Sequence, residues 1–240
     1  MQTVLAVWEQ RNLGVTCVEL TVDPQDSPDE VATALTALDS QYQVVKVPVG
    51  DATMMQLMER EGFSFIETSM AVEHNLKPPA LPPIVARLAS DVSVRECPAS
   101  ALAEVTSRLH AGMFDTDRVY LDPRFTADQA ATRYANWIRD EVGRGAAVHE
   151  AVYRDEPIGF YIFREGPRRT GLSALSGLYD KRSTPGMGLV LLNLIIEQSR
   201  SGGMARISSH ISSNNPAVVN THVALGFRIV RLHYVYVRHR

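Results

Sequence analysis

A glycine-containing turn is the feature of this sequence best suited to chemistry. It runs from Lys181 to Gly188 as Lys-Arg-Ser-Thr-Pro-Gly-Met-Gly and leads into an apolar stretch. A turn of this kind that opens a helix presents unpaired backbone N–H groups and the positive end of the helix dipole, which bind phosphate or pyrophosphate. It matches neither a Walker loop nor a Gly-x-Gly-x-x-Gly dinucleotide turn. A tight turn in front of a core helix is the alternative interpretation.

Asn215 and His222 form a second candidate pair. They are seven residues apart, so they point the same way if both lie on one helix. Asn215 also fits an N-cap before Pro216, and this role is compatible with ligand contact. The imidazole of His222 can give or take a proton near neutral pH, and a partly buried structural histidine is the alternative.

The elements that must position these residues follow the chain from residue 85 onward. Patterning predicts a β-hairpin around the turn at 154–157, and a helix that ends at Gly202 and Gly203. The predicted strands are 92–96, 146–153, 158–164, 172–180, 205–211 and 227–237, and the predicted helices are 99–113, one that includes Tyr134 to Ile138, 187–200 and 216–225.

A proline-rich segment divides the chain. Four prolines between residues 78 and 83 favour an extended linker, which predicts an N-terminal α/β domain (1–77), a linker (78–84) and a second domain (85–240). The first domain is expected to contain strands at 13–22, 44–49 and from 63, with helices at 27–38 and 51–61. A helix followed by Gly-Phe and a strand occurs at Gly62 and again at Gly226, so the first domain is interpreted as a shortened relative of the second.

Composition excludes several classes. The 240 residues are 45% hydrophobic with a formal charge of −3, which is typical of a globular protein and gives no basic bias toward nucleic acid. No apolar run is long enough to cross a membrane, and the chain is expected to be cytoplasmic. Cys17 and Cys97 are too far apart in sequence to suggest a zinc site or disulfide framework, and no metal site is predicted.

The C-terminal part resembles the GNAT family of acyl-CoA N-acyltransferases. The resemblance covers about residues 85 to 240 and rests on the order of elements, on Gly159-Phe160 in the hairpin, on the Gly186-x-Gly188 turn, and on Asn215-Pro-Ala ahead of Gly226-Phe227. Within the family it is most similar to the TDP-fucosamine acetyltransferase type, through the segments 133–138 and 232–238. The resemblance implies an α+β GNAT fold, with a mixed, mostly antiparallel sheet flanked by helices and a smaller α/β domain before it.

Two positions depart from the family pattern. The first position of the turn is usually Gln or Arg and is Ser183 here, and the usual tyrosine on the last helix is His222. The first change is compatible with a pyrophosphate site built from backbone N–H groups. The second leaves the catalytic acid open.

The resemblance assigns site residues for acetyl-CoA, and it gives His222 the catalytic role. The cofactor-binding residues it implies are Leu178, Tyr179, Asp180, Arg182, Ser183, Thr184, Pro185, Gly186, Met187, Gly188 and Asn215. For the acceptor, the polar loop 114–125 offers Tyr120, Asp122 and Arg124, and a solvated loop is the alternative. The general base is left open between His149, His210, a carboxylate and a water chain.

The function implied is that of an acetyl-CoA-dependent N-acetyltransferase acting on a small amine. The amino group of a TDP-linked amino-deoxy sugar is the favoured acceptor. The alternatives are an aminoglycoside, a polyamine or a peptide N-terminus, or a module that binds acyl-CoA without turnover. A homodimer is expected, as in relatives of the family.

Overall fold

The computed structural model describes residues 1–109, 112–180 and 185–240. In this part of the chain ten strands form one mostly antiparallel sheet, which confirms the predicted α+β class. The strands are β1 (Gln2–Leu5), β2 (Cys17–Thr21), β3 (Tyr42–Pro48), β4 (Ser64–His74), β5 (Val92–Cys97), β6 (Ala147–Tyr153), β7 (Glu156–Gly166), β8 (Thr170–Leu178), β9 (Arg206–Ser212) and β10 (Arg228–His239). Their order across the sheet is β1-β2-β3-β10-β4-β9-β8-β7-β6-β5.

Helices cover both faces of the sheet. They are α1 (Val7–Leu13), α2 (Pro28–Ala37), α3 (Ala52–Arg60), α4 (Pro83–Ser90), α5 (Leu102–Ser107), α6 (Arg118–Leu121), α7 (Ala127–Gly143), α8 (Met187–Ser201) and α9 (Pro216–Ala224). One face packs against α2, α3, α4, α8 and α9, and we call it the α8 face. The other packs against α1, α5, α6 and α7, and we call it the α7 face.

Two segments of the chain repeat one order of elements. The first is β2-α2-β3-α3-β4 and the second is β8-α8-β9-α9-β10. In each, the first two strands are parallel, and the last helix ends at a left-handed glycine, Gly62 or Gly226. The last strands are exchanged: β10 lies between β3 and β4, and β4 lies between β10 and β9. Each repeat therefore completes the sheet of the other.

Local sequence accounts for the main elements. Ser27 and Glu30 form the predicted capping box of α2, in which the Ser27 hydroxyl accepts from the Glu30 N–H at 3.3 Å. The predicted hairpin turns at Arg154 and Asp155, both with positive φ, as a two-residue turn requires. Helix α8 buries apolar residues on the sheet, including Val190 and Ile195.

Several predicted boundaries were wrong. The predicted strand at 13–22 is shorter, because α1 extends to Leu13 and β2 begins at Cys17. Helix α1 buries Glu9 and Asn12, polar residues whose partners lie on α7, so its buried face does not read as apolar in the sequence. The predicted helix 99–113 reaches only Ser107.

The proline-rich segment has no regular structure over 77–82, and the unpredicted α4 follows it from Pro83. Because β4 and β10 are exchanged within one sheet, the division into 1–77, 78–84 and 85–240 stays a prediction.

Candidate active site

The sheet opens where β8 and β9 separate. These parallel strands are paired from Thr170 and Arg206 to Leu172 and Ser208, and the described register ends there. Strand β8 nevertheless continues to Leu178 and β9 to Ser212. Just beyond this register the Ser209 hydroxyl donates to the Ser173 carbonyl oxygen at 2.9 Å. Past this contact no described ladder joins β8 to β9, so the backbone of β8 in this gap can pair with an extended ligand.

Helix α8 begins at this gap with a turn suited to an anion. Its N-cap is Gly186, with a φ of 94°, and among the described residues no side chain caps the helix and no acidic residue lies in its first turn. A side chain at position 186 would be strained by this φ, which explains the glycine. A Cβ added to Gly188 would meet nothing closer than 4.0 Å. The first N–H groups and the helix dipole are thus available to a phosphate.

The predicted cofactor residues of this turn fall into two groups. Pro185, Gly186, Met187 and Gly188 lie at the start of α8, where Met187 buries its side chain and offers its backbone. The predicted residues Arg182, Ser183 and Thr184 lie outside the described residues.

The end of β8 is held by side chains that turn into the protein. Leu178 packs against the core of the α8 face. On the α7 face, the Tyr179 hydroxyl donates to the buried Glu150 carboxylate at 2.6 Å, with the Arg108 guanidinium 5.4 Å from its ring. Asp180 follows as an exposed residue. Leu178 and Tyr179 therefore fix the strand, and its backbone is what a ligand would meet.

Helix α9 carries the other two predicted residues. The Asn215 side chain accepts from the Val218 N–H at 3.1 Å and caps the helix, so the N-cap interpretation holds. His222 is buried, and its Nδ1 lies 2.8 Å from the Val218 carbonyl oxygen. Because a carbonyl only accepts, Nδ1 carries the proton in this contact.

Two effects act on the protonation of His222. Burial lowers its pKa, and the hydrogen bond to Val218 opposes this in part. The ring packs edge-on against Phe227 at 4.7 Å between centroids. A neutral imidazole with its proton on Nδ1 has none on Nε2 to donate, so this geometry favours a structural histidine at neutral pH.

Known structures share this architecture, although no protein-family model and no curated protein matches the chain. A GCN5-related N-acetyltransferase from Sphaerobacter thermophilus has a TM-score of 0.60 and 14% identity, over 82% of this chain and 59% of its own. A tandem GNAT protein from the clavulanic acid biosynthesis pathway has a TM-score of 0.56 and 15% identity, over 94% and 77%. A GCN5-related N-acetyltransferase from Kribbella flavida has a TM-score of 0.54 and 10% identity, over 92% and 80%.

The chain has the GNAT fold. The repeated order of elements agrees with the tandem arrangement named for the second of these proteins. The chain spans 59% of the length of the first. Identities of 10 to 15% establish the fold alone, so the activity is argued below from the site itself.

The three predicted acceptor residues lie in and beside the short helix α6, and their role toward an acceptor stays a prediction. The Asp122 carboxylate accepts from the Arg124 N–H at 3.0 Å and pairs with His239 Nε2 at 2.7 Å, so it stabilises the loop against the end of β10. Tyr120 packs beside Gly112, and Arg124 is exposed. These contacts favour a structural role for Asp122.

A different carboxylate faces the opening. Glu67 lies on β4, which pairs with β9 at Ser69 and Ser212, four residues beyond Ser208, where the described pairing of β9 with β8 ends. It interacts with the Ser212 hydroxyl, and from the α7 face with Arg118 and Asp117. The sequence around Glu67 carries no signal of this role, because its position beside β9 depends on the exchange of β4.

The pKa of Glu67 is raised. Burial is the main cause, Asp117 adds to it, and the Ser212 hydroxyl, Arg118 and Lys46 oppose it. A carboxylate whose pKa is raised in this way can accept a proton closer to neutral pH. Glu67 is therefore the described residue at the opening best suited to act as a base.

The two histidines considered as bases lie far apart. His149 Nε2 is 2.8 Å from Gln198 Nε2 and stacks on Tyr161, beneath the C-terminal half of α8. Gln198 is eleven residues from the start of α8, or about 16 Å along the helix. His210 lies on β9 beside β4, on the α7 face of the opening. His210 is therefore near the site, whereas His149 is not.

In the described part of the chain, no helix is both long and apolar enough to cross a membrane. Nor do three His, Cys, Asp or Glu side chains come together there as ligands for a metal ion.

Proposed function

We propose that this protein is an acetyl-CoA-dependent N-acetyltransferase. The observation that carries the proposal is the coincidence of two features: β8 and β9 separate, and the uncapped N-terminus of α8 lies at the resulting gap. The first feature suits an extended chain with amide groups, and the second suits a pyrophosphate. Coenzyme A contains both.

The residues present fit this ligand. The backbone N–H groups that follow Gly186 would hold the pyrophosphate, and the backbone at the end of β8, near Leu178, would hold the pantetheine. A Cβ at position 188 would have room, but a charged carboxylate there would repel the phosphates. When bound, acetyl-CoA supplies the acyl group as a thioester.

Glu67 is proposed as the base that takes the proton from the acceptor amine. An ammonium cannot attack a carbonyl carbon, so the amine must lose a proton before or during attack. Glu67 is half-buried, and its pKa is raised mainly by burial. At neutral pH it is able to accept this proton directly or through one water molecule.

The proposed role of His222 as the proton donor to the departing sulfur has weaker support. Its Nδ1 proton is used by Val218, and burial disfavours the imidazolium. Phenylalanine at this position is expected to lower kcat by far less than the roughly 100-fold that loss of a general acid brings.

The proposed acceptor is a small amine, and a nucleotide-linked amino sugar is favoured over an aminoglycoside, a polyamine or a peptide N-terminus. A mixture of carboxylates and basic groups faces the opening from the α7 face, which suits an acceptor that is itself mixed in charge. The protein is further proposed to act in the cytoplasm and as a homodimer.

A thiol-release assay tests this function. Purified protein with acetyl-CoA would be offered TDP-linked amino sugars, aminoglycosides, polyamines and peptides, and free coenzyme A would be followed. Release that depends on an amine supports the proposal, and the amine identifies the class. Tight coenzyme A binding without release from any acceptor would favour the alternative, a module that binds acyl-CoA without turnover.

A further inference from the structure

Three basic side chains surround two small ones on the α7 face of the sheet. Strand register places His210 of β9 beside Ala71 of β4, which lies beside Arg231 of β10. Two residues along β4 on the same face, Ser69 lies beside His233. Because alanine and serine are short, β4 forms the floor of a shallow depression between longer side chains. We call these five residues the basic trough.

Arg231 carries the permanent positive charge of the trough, and the two histidines can become charged beside it. Partial burial and the charges of Lys46 and Arg231 lower the pKa of His210. Partial burial, Arg231, Lys46 and His210 lower that of His233, against a weak opposing effect of Asp23. Lys46 is balanced by Glu19, with 2.9 Å between Nζ and Oε2.

An anion would stabilise this arrangement. Besides burial, the positive charges of Lys46 and Arg231 lower both histidine pKa values, so a bound anion would raise both. His210 and Arg231 are exposed, and His233 is half-buried, so the site is open to a ligand.

The trough is continuous with Glu67. Glu67, Ser69 and Ala71 alternate along β4 and share the α7 face. At about 3.3 Å per residue, Ala71 is about 13 Å from Glu67 along the strand, and His233, one strand over, is about 8 Å away. An acceptor whose amine lies at Glu67 would therefore place a group about 8 to 13 Å away in the trough.

We infer that the basic trough binds a phosphoryl group of the acceptor, so that the substrate is an amine with a phosphate at the far end of the molecule, such as an amino sugar phosphate. This inference rests on the proposed acetyl transfer, because Glu67 defines where the amine lies. It excludes polyamines, whose positive charges would meet Arg231, and simple amino acids, whose carboxylate is too close to the amine.

Phosphate binding tests the trough without relying on catalysis. Protein saturated with coenzyme A, which fills the α8 turn, would be titrated with inorganic phosphate while the ring resonances of His210 and His233 are followed by NMR. Variants H210Q and H233Q assign the resonances. We expect both pKa values to rise with phosphate, and phosphate affinity to increase as the pH falls through them.

The matched variants are Arg231→Gln and Arg60→Gln. Arg60 is an exposed arginine on α3, which packs on the opposite face, so both variants remove one positive charge. R231Q is expected to weaken phosphate binding about tenfold, the effect of losing one charge-assisted hydrogen bond, and R60Q to leave it unchanged. The inference would be wrong if the histidine resonances did not change with phosphate, or if R231Q and R60Q bound phosphate equally well.

An activity comparison separates this inference from the proposed function. Thiol release would be measured with glucosamine, glucosamine 6-phosphate and glucosamine 1-phosphate, in which the phosphate is absent, far from the amine or next to it. A preference for the 6-phosphate that R231Q removes supports the inference. Turnover of amines with no preference for phosphate overturns the inference alone. If the wild-type protein does not bind coenzyme A at the start of the titration, it is the proposed function that fails.

Discussion

Helices α2 and α8 hold equivalent places in the two repeats, yet their N-terminal turns are built differently. Helix α2 is closed by the Ser27 and Glu30 capping box, with Asp29 also in its first turn. Nearby, Asp23 and Asp26 pair with the amino group of Met1. Helix α8 begins at a glycine with no described side-chain cap and no acid in its first turn. An anion would be repelled at the start of α2 and attracted at the start of α8.

The pairs of parallel strands that these helices connect also differ, in how far the two strands are hydrogen-bonded. β2 and β3 pair at every position from Cys17 to Thr21, and the Val22 N–H extends the ladder to Lys46. β8 and β9 pair only over the first part of their described lengths. One repeat is closed and the other is open, so we expect the same order of elements to support the sheet in one half and to form the proposed binding site in the other.

The largest expected effect concerns what the closed repeat contributes to the open one. Its last strand, β4, brings Glu67 to the opening. Glu67→Gln is expected to lower kcat by about 100- to 10,000-fold, the range for loss of a general base. The measurement is the pH dependence of kcat and KM for acetyl transfer. The wild-type rate should fall on the acid side through a pKa above the ordinary value for glutamate, and the variant should lack this limb.

Glu73→Gln is the matched control for Glu67. Glu73 shares the strand and the face, and its nearest described cation is Arg206 at 3.9 Å. The control is expected to keep the wild-type profile. If both variants lost the same activity, the role assigned to Glu67 as a base would be wrong.

The second prediction concerns the contact between the halves. Arg118 of α6 is buried with Glu19 of β2 and with Glu9 of α1. Arg118→Met leaves these carboxylates without one of their partners and is expected to reduce the free energy of unfolding by about 3 to 5 kcal/mol. Arg11→Met breaks an exposed ion pair between α1 and α7 and is expected to cost about 0 to 1 kcal/mol. Urea unfolding of the two variants measures the difference.

The same network predicts acid sensitivity. Burial alone would raise the pKa of Glu19, but Arg118 and Lys46 more than offset this and the pKa lies below its ordinary value. A carboxylate with a depressed pKa stabilises the fold above its unfolded pKa of about 4.3, and this stabilisation is lost as the pH falls further. Wild-type stability should therefore decline below about pH 4. A stability that stayed flat to pH 2 would contradict this account of the network.

The third prediction concerns the turn at the start of α8. Gly186→Asp places a carboxylate where the pyrophosphate is proposed to lie. Coenzyme A affinity is expected to fall roughly 5- to 30-fold, because a charge at a helix N-terminus is worth about 1 to 2 kcal/mol. Gly62→Asp is the control, since Gly62 is also left-handed, with a φ of 75°. Calorimetry should find that G62D binds coenzyme A as tightly as the wild-type protein, although both variants lose similar stability. If both variants lost the same coenzyme A affinity, the cause would be general misfolding and not the charge at α8.

The smallest effect is expected at the closed turn. Ser27→Ala removes the capping side chain of α2 and should reduce the free energy of unfolding by about 1 kcal/mol. Because α2 is not expected to bind a ligand, coenzyme A affinity should not change. Thermal unfolding with and without coenzyme A measures both quantities. If coenzyme A stabilised the variant less than the wild-type protein, the ligand would contact α2, contrary to the proposal.

Local sequence signals were sufficient to predict the helices next to the site, but not to predict which residues make up the site. The turn before α8, the cap at Asn215 and the strands on either side could be predicted because each depends on neighbouring residues. Glu67 and the basic trough depend on the exchange of β4 and β10, which joins residues more than 130 positions apart. The contact of Asp122 with His239 joins residues 117 positions apart, so it could not be read from the loop alone. The roles assigned to the cofactor residues and to His222 stay predictions.

Hydrogen exchange with and without coenzyme A tests the central claim, that only the open repeat holds the acyl carrier. The account predicts slower exchange of the amides from Met187 to Val190 and at the end of β8, with no change over the first turn of α2. Protection at α2, or no protection at the start of α8 under saturating coenzyme A, would contradict it.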